Sequence, residues 1–376
     1  MIKVATLSFQ NAYNYGAVFQ VAALQHIITE LGADCDIIDY RCPAIDRQYD
    51  FLPLRLNRTI INAIRANLVI APFIRSKKRN FLTWMDSYKK TQVITSKEQL
   101  KELNSQYDKF VVGSDQVWNL KCQGHDSSFF LDFVSDGSKK IAYAASFGTF
   151  KIDNDDKDFY RRYLKDFHKI SVREKSGIPL VKGLGGADSV ECIDPVLLAG
   201  QEFWKSKIGD ASVTCDKYIF VYQLSRNMNI PSFAKKLARD KKLKILFVTG
   251  HIGNIVHYSF KDKNISDVSP EMFLSYLANA EYIITDSFHA TVLSLVFQKQ
   301  FFVISKGDEK VSYNTRIYNL LSDFGLEYRI LNSYVNIRDI SSEQYVEIEN
   351  KRIARSKESI DFLKDAIFNE TSFYKS

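Results

Sequence analysis

Residues 282–292 read Tyr-Ile-Ile-Thr-Asp-Ser-Phe-His-Ala-Thr-Val, and this stretch decides the fold class. An apolar run typical of a buried strand leads into Asp286 and Ser287, both favoured helix N-caps, and an apolar helix pattern follows at once. A strand that passes directly into a helix is the repeating unit of open, mostly parallel α/β sheets. We therefore predict the strand Tyr282–Thr285 and the helix Phe288–Phe297.

The same alternation extends in both directions from this unit. In the second half, the other predicted strands and helices are Tyr218–Leu224, Ile230–Asp240, Leu243–Val248, Pro270–Ala280, Phe301–Ile304 and Ile317–Phe324. In the first half, a helix Ala17–Leu31 accompanies the predicted strands Ile2–Leu7, Asp36–Tyr40, Lys109–Val112, Lys140–Ala145, Lys169–Val172 and Val190–Asp194. The pattern loosens between Val196 and Asp216.

The fold expected from this order is α/β, with two Rossmann-like doubly wound domains facing a central cleft. The length of 376 residues suits two domains. We place an N-terminal domain at residues 1–200, a C-terminal domain at 201–340, and a last helix in 341–376 that packs back on the N-terminal domain.

Composition narrows the function classes. The chain is 45% hydrophobic and 25% charged, as expected of a globular protein, and its net charge of +7 favours anionic partners. No nucleic-acid-binding motif is visible, and the five cysteines lack metal-ligand spacing, so we expect neither nucleic acid nor a metal. The N-terminus reads as a strand rather than a signal peptide, so we expect a cytoplasmic location.

The segment 55–79 mixes apolar and basic residues and has two interpretations. Its apolar residues face the protein core or the second subunit of a homodimer, which we favour, or they lie on the inner face of the cell membrane.

His289 is the first candidate for chemistry. It falls in the first turn of a helix that follows a strand, where free backbone N–H groups and the helix dipole attract phosphate or carboxylate. We favour a functional role over a histidine that only stabilises the helix start. Ser287 alone reads as a helix cap rather than a nucleophile.

Two further strand ends carry charged residues. Arg173 follows Lys169–Val172 and suits a planar carboxylate ligand, with an ion pair to Glu174 as an equal alternative. Asp194 precedes Pro195, and here we favour a simple turn.

Two loops in the first half carry hydrogen-bonding and aromatic side chains. In residues 113–119, Trp118 would stack on a sugar while Asp115, Gln116 and Asn119 bond its hydroxyls; a buried polar turn is the equal alternative. The polar and aromatic loop that enters the first helix supplies Asn14, Tyr15, Gly16 and Gln20 as further ligand contacts. No dinucleotide fingerprint, Walker motif or zinc motif accompanies them.

Taken in order, these segments resemble the polysaccharide pyruvyltransferase family from the first strand to about Arg329. The residues that carry the resemblance lie at 14–17, 113–119, 142–148, 171–177, 194–195, 286–289 and 314–317. The resemblance implies a fold similar to the GT-B glycosyltransferases, phosphoenolpyruvate as the donor, no further cofactor, and a pyruvate ketal on a bacterial exopolysaccharide or capsule glycan, which is lipid-linked or free.

The resemblance also implies that Arg173 and His289 grip the donor. With them we group Ser287, Phe288 and Arg316 as donor-binding residues; Arg316 or Arg226 would replace a cation that some relatives have at position 287. We expect a cationic pocket, with His289 as the proton-transfer group and Asp115 as the alternative.

The acceptor side would comprise Asn14, Tyr15, Gly16, Gln20, Ser114, Asp115, Gln116, Trp118 and Asn119. Two other functions remain open on the same fold: a glycosyltransferase that uses a nucleotide sugar, and a non-catalytic glycan-binding protein.

Overall fold

The computed structural model describes residues 1–49, 71–208, 217–249, 263–265, 267–305, 315–331 and 337–369. Two six-stranded parallel sheets, each covered by helices, make up its core. The predicted α/β class, with two doubly wound halves, is confirmed.

The first sheet has the strand order β2-β1-β3-β4-β5-β6. Its strands are β1 (Lys3–Leu7), β2 (Asp34–Ile37), β3 (Lys109–Val112), β4 (Lys140–Ala145), β5 (Lys169–Val172) and β6 (Ser189–Glu191). β4 is buried along its whole length, as expected of a parallel strand covered on both faces. β2 ends earlier than predicted, since Ile37 is its last residue paired with β1; isolated bridges then join Ile37 to Lys90 and Tyr40 to Ile94.

The second sheet has the order β12-β11-β10-β7-β8-β9. Its strands are β7 (Tyr218–Gln223), β8 (Lys244–Thr249), β9 (Lys263–Ile265), β10 (Tyr282–Thr285), β11 (Gln300–Ile304) and β12 (Ile330–Leu331). β10 has the predicted bounds and lies between β7 and β11.

The helices, in chain order, begin with α1 (Tyr15–Glu30), α2 (Pro43–Tyr49), α3 (Ala71–Asp86), α4 (Lys97–Glu102), α5 (Leu120–Gln123), α6 (Lys157–Leu164) and α7 (Gly177–Gly183). They continue with α8 (Pro195–Leu198), α9 (Gly200–Ile208), α10 (Asn229–Lys241), α11 (Pro270–Asn279), α12 (Phe288–Val296), α13 (Thr315–Phe324) and α14 (Ser342–Phe368).

α1 joins the two halves. Tyr15 in its first turn stacks on Phe273 of α11, with ring centroids 4.1 Å apart, and donates a hydrogen bond of 2.7 Å to the carbonyl of Val268. The Tyr15 ring is 1% exposed, so this contact forms part of a core that is continuous between the sheets.

α14 also contacts both halves. Near its start, Tyr345 donates a hydrogen bond of 2.6 Å to the carbonyl of Lys299, beside the second sheet. Near its end, Asp365 forms an ion pair of 2.8 Å with Lys169, at the start of β5 in the first sheet.

Residues 55–70 of the basic segment lie outside the described residues. The remainder belongs to α3, where the Ser76 hydroxyl and the Asn80 amide bond the side chain and the carbonyl of Asp267. Phe81 and Trp84 of α3 are buried in the core, so this helix packs on the protein. Within the described ranges, no helix is long and apolar enough to cross a membrane.

Candidate active site between the two sheets

The turn from β10 into α12 is held by Asp286 and Ser287. The Asp286 carboxylate accepts hydrogen bonds from the backbone amides of Leu224 and Ser225, at 2.7 and 2.9 Å, and so anchors the loop after β7. Ser287 is the N-cap of α12, and its hydroxyl accepts from the Ala290 amide. The cap predicted at Ser287 is confirmed, and it puts His289 in the first helical turn.

The imidazole of His289 packs directly against Gly16 of the other half. A Cβ atom on Gly16, in the first turn of α1, would lie 2.0 Å from the Nδ1 atom of His289, so only glycine permits this approach. The His289 side chain is 10% exposed, and its Nε2 atom lies 3.4 Å from Asp194 Oδ2. Gly16 therefore contacts the imidazole instead of standing open to an acceptor.

Asp194 connects the two candidate residues. Its Oδ2 atom lies 3.1 Å from Arg173 Nη1 as well as 3.4 Å from His289 Nε2. Its Oδ1 atom accepts from the Val196 amide at 2.9 Å and caps α8. Burial by itself would raise the pKa of this carboxyl, but His289 and Arg173 outweigh burial and lower that pKa well below its ordinary value.

Arg173 faces three carboxylates. Besides Asp194, its Nε atom donates to Glu174 at 2.8 Å and its Nη1 atom lies 3.6 Å from Asp115. The guanidinium carbon is 4.4 Å from the centroid of the Phe288 ring. Its buried Nη2 atom has no hydrogen-bond partner among the described residues, which leaves one donor for a ligand. The predicted pairing with Glu174 exists, but it is buried rather than on the surface.

Arg316 approaches the same aromatic ring. Its guanidinium carbon lies 6.0 Å from the Phe288 centroid, and its buried Nε atom has no partner within the described part of the chain. Burial lowers the pKa of Arg316, and the nearby Arg173 lowers it further. Arg226, the alternative cation, is exposed in the loop after β7, while Asn314 of the same motif lies outside the described residues.

The pocket that Arg173, Phe288 and Arg316 help to line has a volume of about 30 Å³, enough for a water molecule. A three-carbon phosphate ester needs more space, so these side chains must move apart to admit one. The described residues contain no group of three or more His, Cys, Asp and Glu arranged to hold a metal ion.

The charge of the cluster differs from the prediction. Two guanidinium groups, Arg173 and Arg316, face three carboxylates, Asp115, Glu174 and Asp194. The prediction of a net positive pocket is therefore wrong for the described side chains, because three carboxylates surround the two guanidinium groups. An imidazolium at His289 would make the cluster neutral.

Several predicted acceptor residues lie inside the fold. Asn14 is the N-cap of α1. Gln20 is 0% exposed; its amide nitrogen donates to the Ser8 hydroxyl, and its oxygen accepts from the Ser114 amide. The Ser114 hydroxyl bonds Asp194 at 3.2 Å. Gln20 and Ser114 support the loops around the site and, like Tyr15, are buried, whereas Asn14 is partly exposed.

The predicted stacking of Trp118 on a sugar is wrong. Its ring is 0% exposed and packs among Phe130, Phe147 and Phe167, and its Nε1 atom donates to the carbonyl of Phe129. The buried-turn alternative describes this residue. Gln116 and Asn119, in contrast, line a surface groove.

Sequence reasoning undervalued Asp194. The signal was present, since Asp194 follows β6 just as Arg173 follows β5, and carboxyl ends of parallel strands share one edge of a sheet. Its carboxylate is the group that Arg173 and His289 have in common.

Comparisons with known proteins identify a family and a fold. A sequence model of the family described as polysaccharide pyruvyl transferase matches residues 14–308. The structure of UDP-GlcNAc 2-epimerase from Neisseria meningitidis is similar with a TM-score of 0.52 and 9% identity, over 96% of this chain and 94% of that one. The structure of MnaA with UDP from S. aureus is similar with a TM-score of 0.50 and 10% identity, over 98% of this chain and 93% of that one. No curated protein matches. At these identities the structural neighbours show a shared GT-B-type fold and no more.

Proposed function

The chain belongs to the polysaccharide pyruvyl transferase family, and on that premise we propose that it transfers the enolpyruvyl group of phosphoenolpyruvate to a glycan, forming a pyruvate ketal. The observation that carries this proposal is the Asp194 carboxylate, which brings Arg173 of one half and His289 of the other to the same oxygen atom. The donors that remain beside this carboxylate, Arg173 Nη2 and the backbone amides in the first turn of α12, suit a small ligand with two anionic groups.

Each anionic group of the donor has a partner. The amides in the first turn of α12 and the imidazole of His289 would receive the phosphate. The unpartnered Nη2 atom of Arg173 would bind the carboxylate. Arg316, whose guanidinium carbon also lies near the Phe288 ring, would offset the remaining negative charge of the donor.

The reaction needs one acid and two sugar hydroxyls. Protonation of the donor's methylene carbon by His289, whose imidazolium Asp194 would stabilise, makes the adjacent carbon electrophilic. One hydroxyl adds to that carbon and returns a proton to the imidazole. The second hydroxyl then adds as the carbon–oxygen bond to phosphate breaks; its proton leaves with the phosphate, and the ketal is closed.

The test measures phosphate released from phosphoenolpyruvate with galactose-terminated acceptors, with mass spectrometry of the glycan product. We expect His289→Gln to lower kcat about a hundredfold or more. We expect Arg173→Lys to raise the KM for phosphoenolpyruvate about tenfold, because lysine lacks the planar fork. His168→Gln and Arg161→Lys, outside the site, are the matched controls. Unchanged turnover in both site variants, or calorimetric binding of UDP-GlcNAc in place of phosphoenolpyruvate, would contradict the proposal.

A further inference from the structure

A second cavity lies on the surface of the first half, at the carboxyl ends of β3 and β4. Its volume is about 590 Å³, within the range of about 300–1,000 Å³ that small-molecule sites occupy. The loop after β3 contributes Gln116 and Asn119, and the loop after β4 contributes Gly148. We call this cavity the β3–β4 groove. Carboxyl ends of parallel strands are where ligands bind in open α/β sheets.

An amide pair lies at the β3–β4 groove. Asn119 Nδ2 donates to Gln116 Oε1 at 2.9 Å, and Asn119 Oδ1 accepts from the Lys121 amide. Gly148 has a φ of +67°, and a Cβ atom there would lie 2.2 Å from Gln116 Oε1. The pair is therefore fixed from two sides, and the Gln116 amide nitrogen has no hydrogen bond to any described residue.

The charges that line the β3–β4 groove balance. The charged residues that line it are Lys121, Lys151, Asp153 and Asp156. The Lys121 ammonium lies 3.9 Å from the Asp153 carboxylate, and the Asp156 carboxylate lies 3.1 Å from the imidazole of His125. Two lysines and two aspartates give no net charge, which suits a neutral ligand better than a nucleotide diphosphate. Leu120, Phe147, Ile152 and Tyr160 form the apolar floor of the groove, but each is at most 7% exposed, so a stacked sugar needs a more exposed ring.

The β3–β4 groove is next to the candidate active site. Gln116 directly follows Asp115, which faces Arg173 at 3.6 Å. Cys122 also lines the groove; burial raises the pKa of its thiol to about 11, and the charges of both Asp115 and Arg316 act on it. Both contacts place one side of the groove near the residues that we assign to the donor.

Phe150 provides an aromatic surface that the sequence analysis did not single out. It is 56% exposed and borders the groove without lining it, since it lies in the sequence between the lining residues Thr149 and Lys151. The Thr149 hydroxyl donates to the Lys151 carbonyl at 3.0 Å and accepts from the Lys151 amide at 3.2 Å, so the turn is fixed.

We propose that the β3–β4 groove binds the acceptor glycan, with sugar hydroxyls bonded to the Gln116 amide and a neutral sugar stacked on Phe150 at the edge of the groove. The inference rests on the proposed function. It replaces the buried Trp118 by Phe150 as the stacking residue.

The test uses lactose and lacto-N-tetraose as probes. Binding is measured by saturation-transfer NMR without phosphoenolpyruvate, and kinetics are measured with it. We expect Phe150→Ala to weaken binding and to raise the acceptor KM about tenfold. The KM for phosphoenolpyruvate should stay within about twofold of the wild-type value, and Phe150→Tyr should restore binding. Tyr328→Ala, which removes an aromatic residue that is 42% exposed elsewhere, is the matched control.

The outcomes separate the two proposals. If wild-type protein turns over and both Phe150→Ala and Gln116→Ala leave the acceptor KM unchanged, the groove assignment is overturned while the transferase assignment stands. Oligosaccharide binding that depends on Phe150, without turnover of phosphoenolpyruvate, supports the groove and overturns the transferase. Absence of binding by both probes overturns the groove.

Discussion

Replacing Asp194 by asparagine removes a buried charge and almost nothing else. The side chain keeps its size and an oxygen to accept from the Val196 amide, but it loses the charge that faces Arg173 at 3.1 Å and His289 at 3.4 Å. Breaking a buried ion pair costs about 3–5 kcal/mol. Because two other carboxylates still face Arg173, we expect the lower end, about 3 kcal/mol.

This loss of stability should be visible as a shift in Tm. For a domain of about 150–250 residues, a loss of 1 kcal/mol in the free energy of unfolding lowers Tm by about 2–4 °C. Asp194→Asn should therefore melt about 6–12 °C below wild type at neutral pH. The pKa of Asp194 in the folded protein lies below its ordinary value of 3.8. Its charge therefore contributes stability at pH values above the unfolded pKa, and this contribution falls as pH drops from about 4 toward the folded pKa.

Thermal unfolding of both proteins, followed by scanning calorimetry from pH 7 down to about pH 3, is the assay. The gap in Tm should stay constant down to about pH 5 and narrow below about pH 4. A gap that is absent at pH 7, or that stays constant in acid, would refute the electrostatic role of this carboxylate.

Three further substitutions test the site. Gly16→Ala would place Cβ 2.0 Å from Nδ1 of His289, so we expect kcat to fall about a hundredfold, while Gly183→Ala, whose Cβ meets open space, keeps wild-type kcat. Asp286→Ala leaves two backbone amides without their acceptor and should lower the free energy of unfolding, measured by heat or urea, by about 2 kcal/mol. An unchanged Tm would show that other contacts hold the loop after β7. Arg316→Met should raise the KM for phosphoenolpyruvate about tenfold in steady-state kinetics, and an equal rise in the acceptor KM would argue against a donor-side role.

Local signals predicted the surroundings of His289 well. The strand Tyr282–Thr285 and the cap at Ser287 are where the pattern places them, because an apolar run and a capping hydroxyl act over only a few residues. The order of strands and helices likewise predicted two doubly wound halves.

Local sequence patterns could not predict contacts between residues that are far apart in the sequence. Trp118 stands among polar neighbours in the sequence, yet phenylalanines from three other segments enclose it. Asp194 looked like a turn residue because its partners, Arg173 and His289, come from another strand end and from the other half of the chain. Charge at a site cannot be summed from sequence when the acids that surround an arginine are unknown.

The helix α14, 27 residues and about 40 Å long, has consequences for entry of a substrate. It is bound to Lys299 beside one sheet and to Lys169 of the other. The helix is also bonded between these ends, since Arg352 donates to the carbonyl of Leu197 and Arg355 forms ion pairs with Glu191 and Asp323. Separation of the two halves would break these bonds. A proline introduced in the middle of this helix should therefore change the access of substrates to the site without contacting either of them.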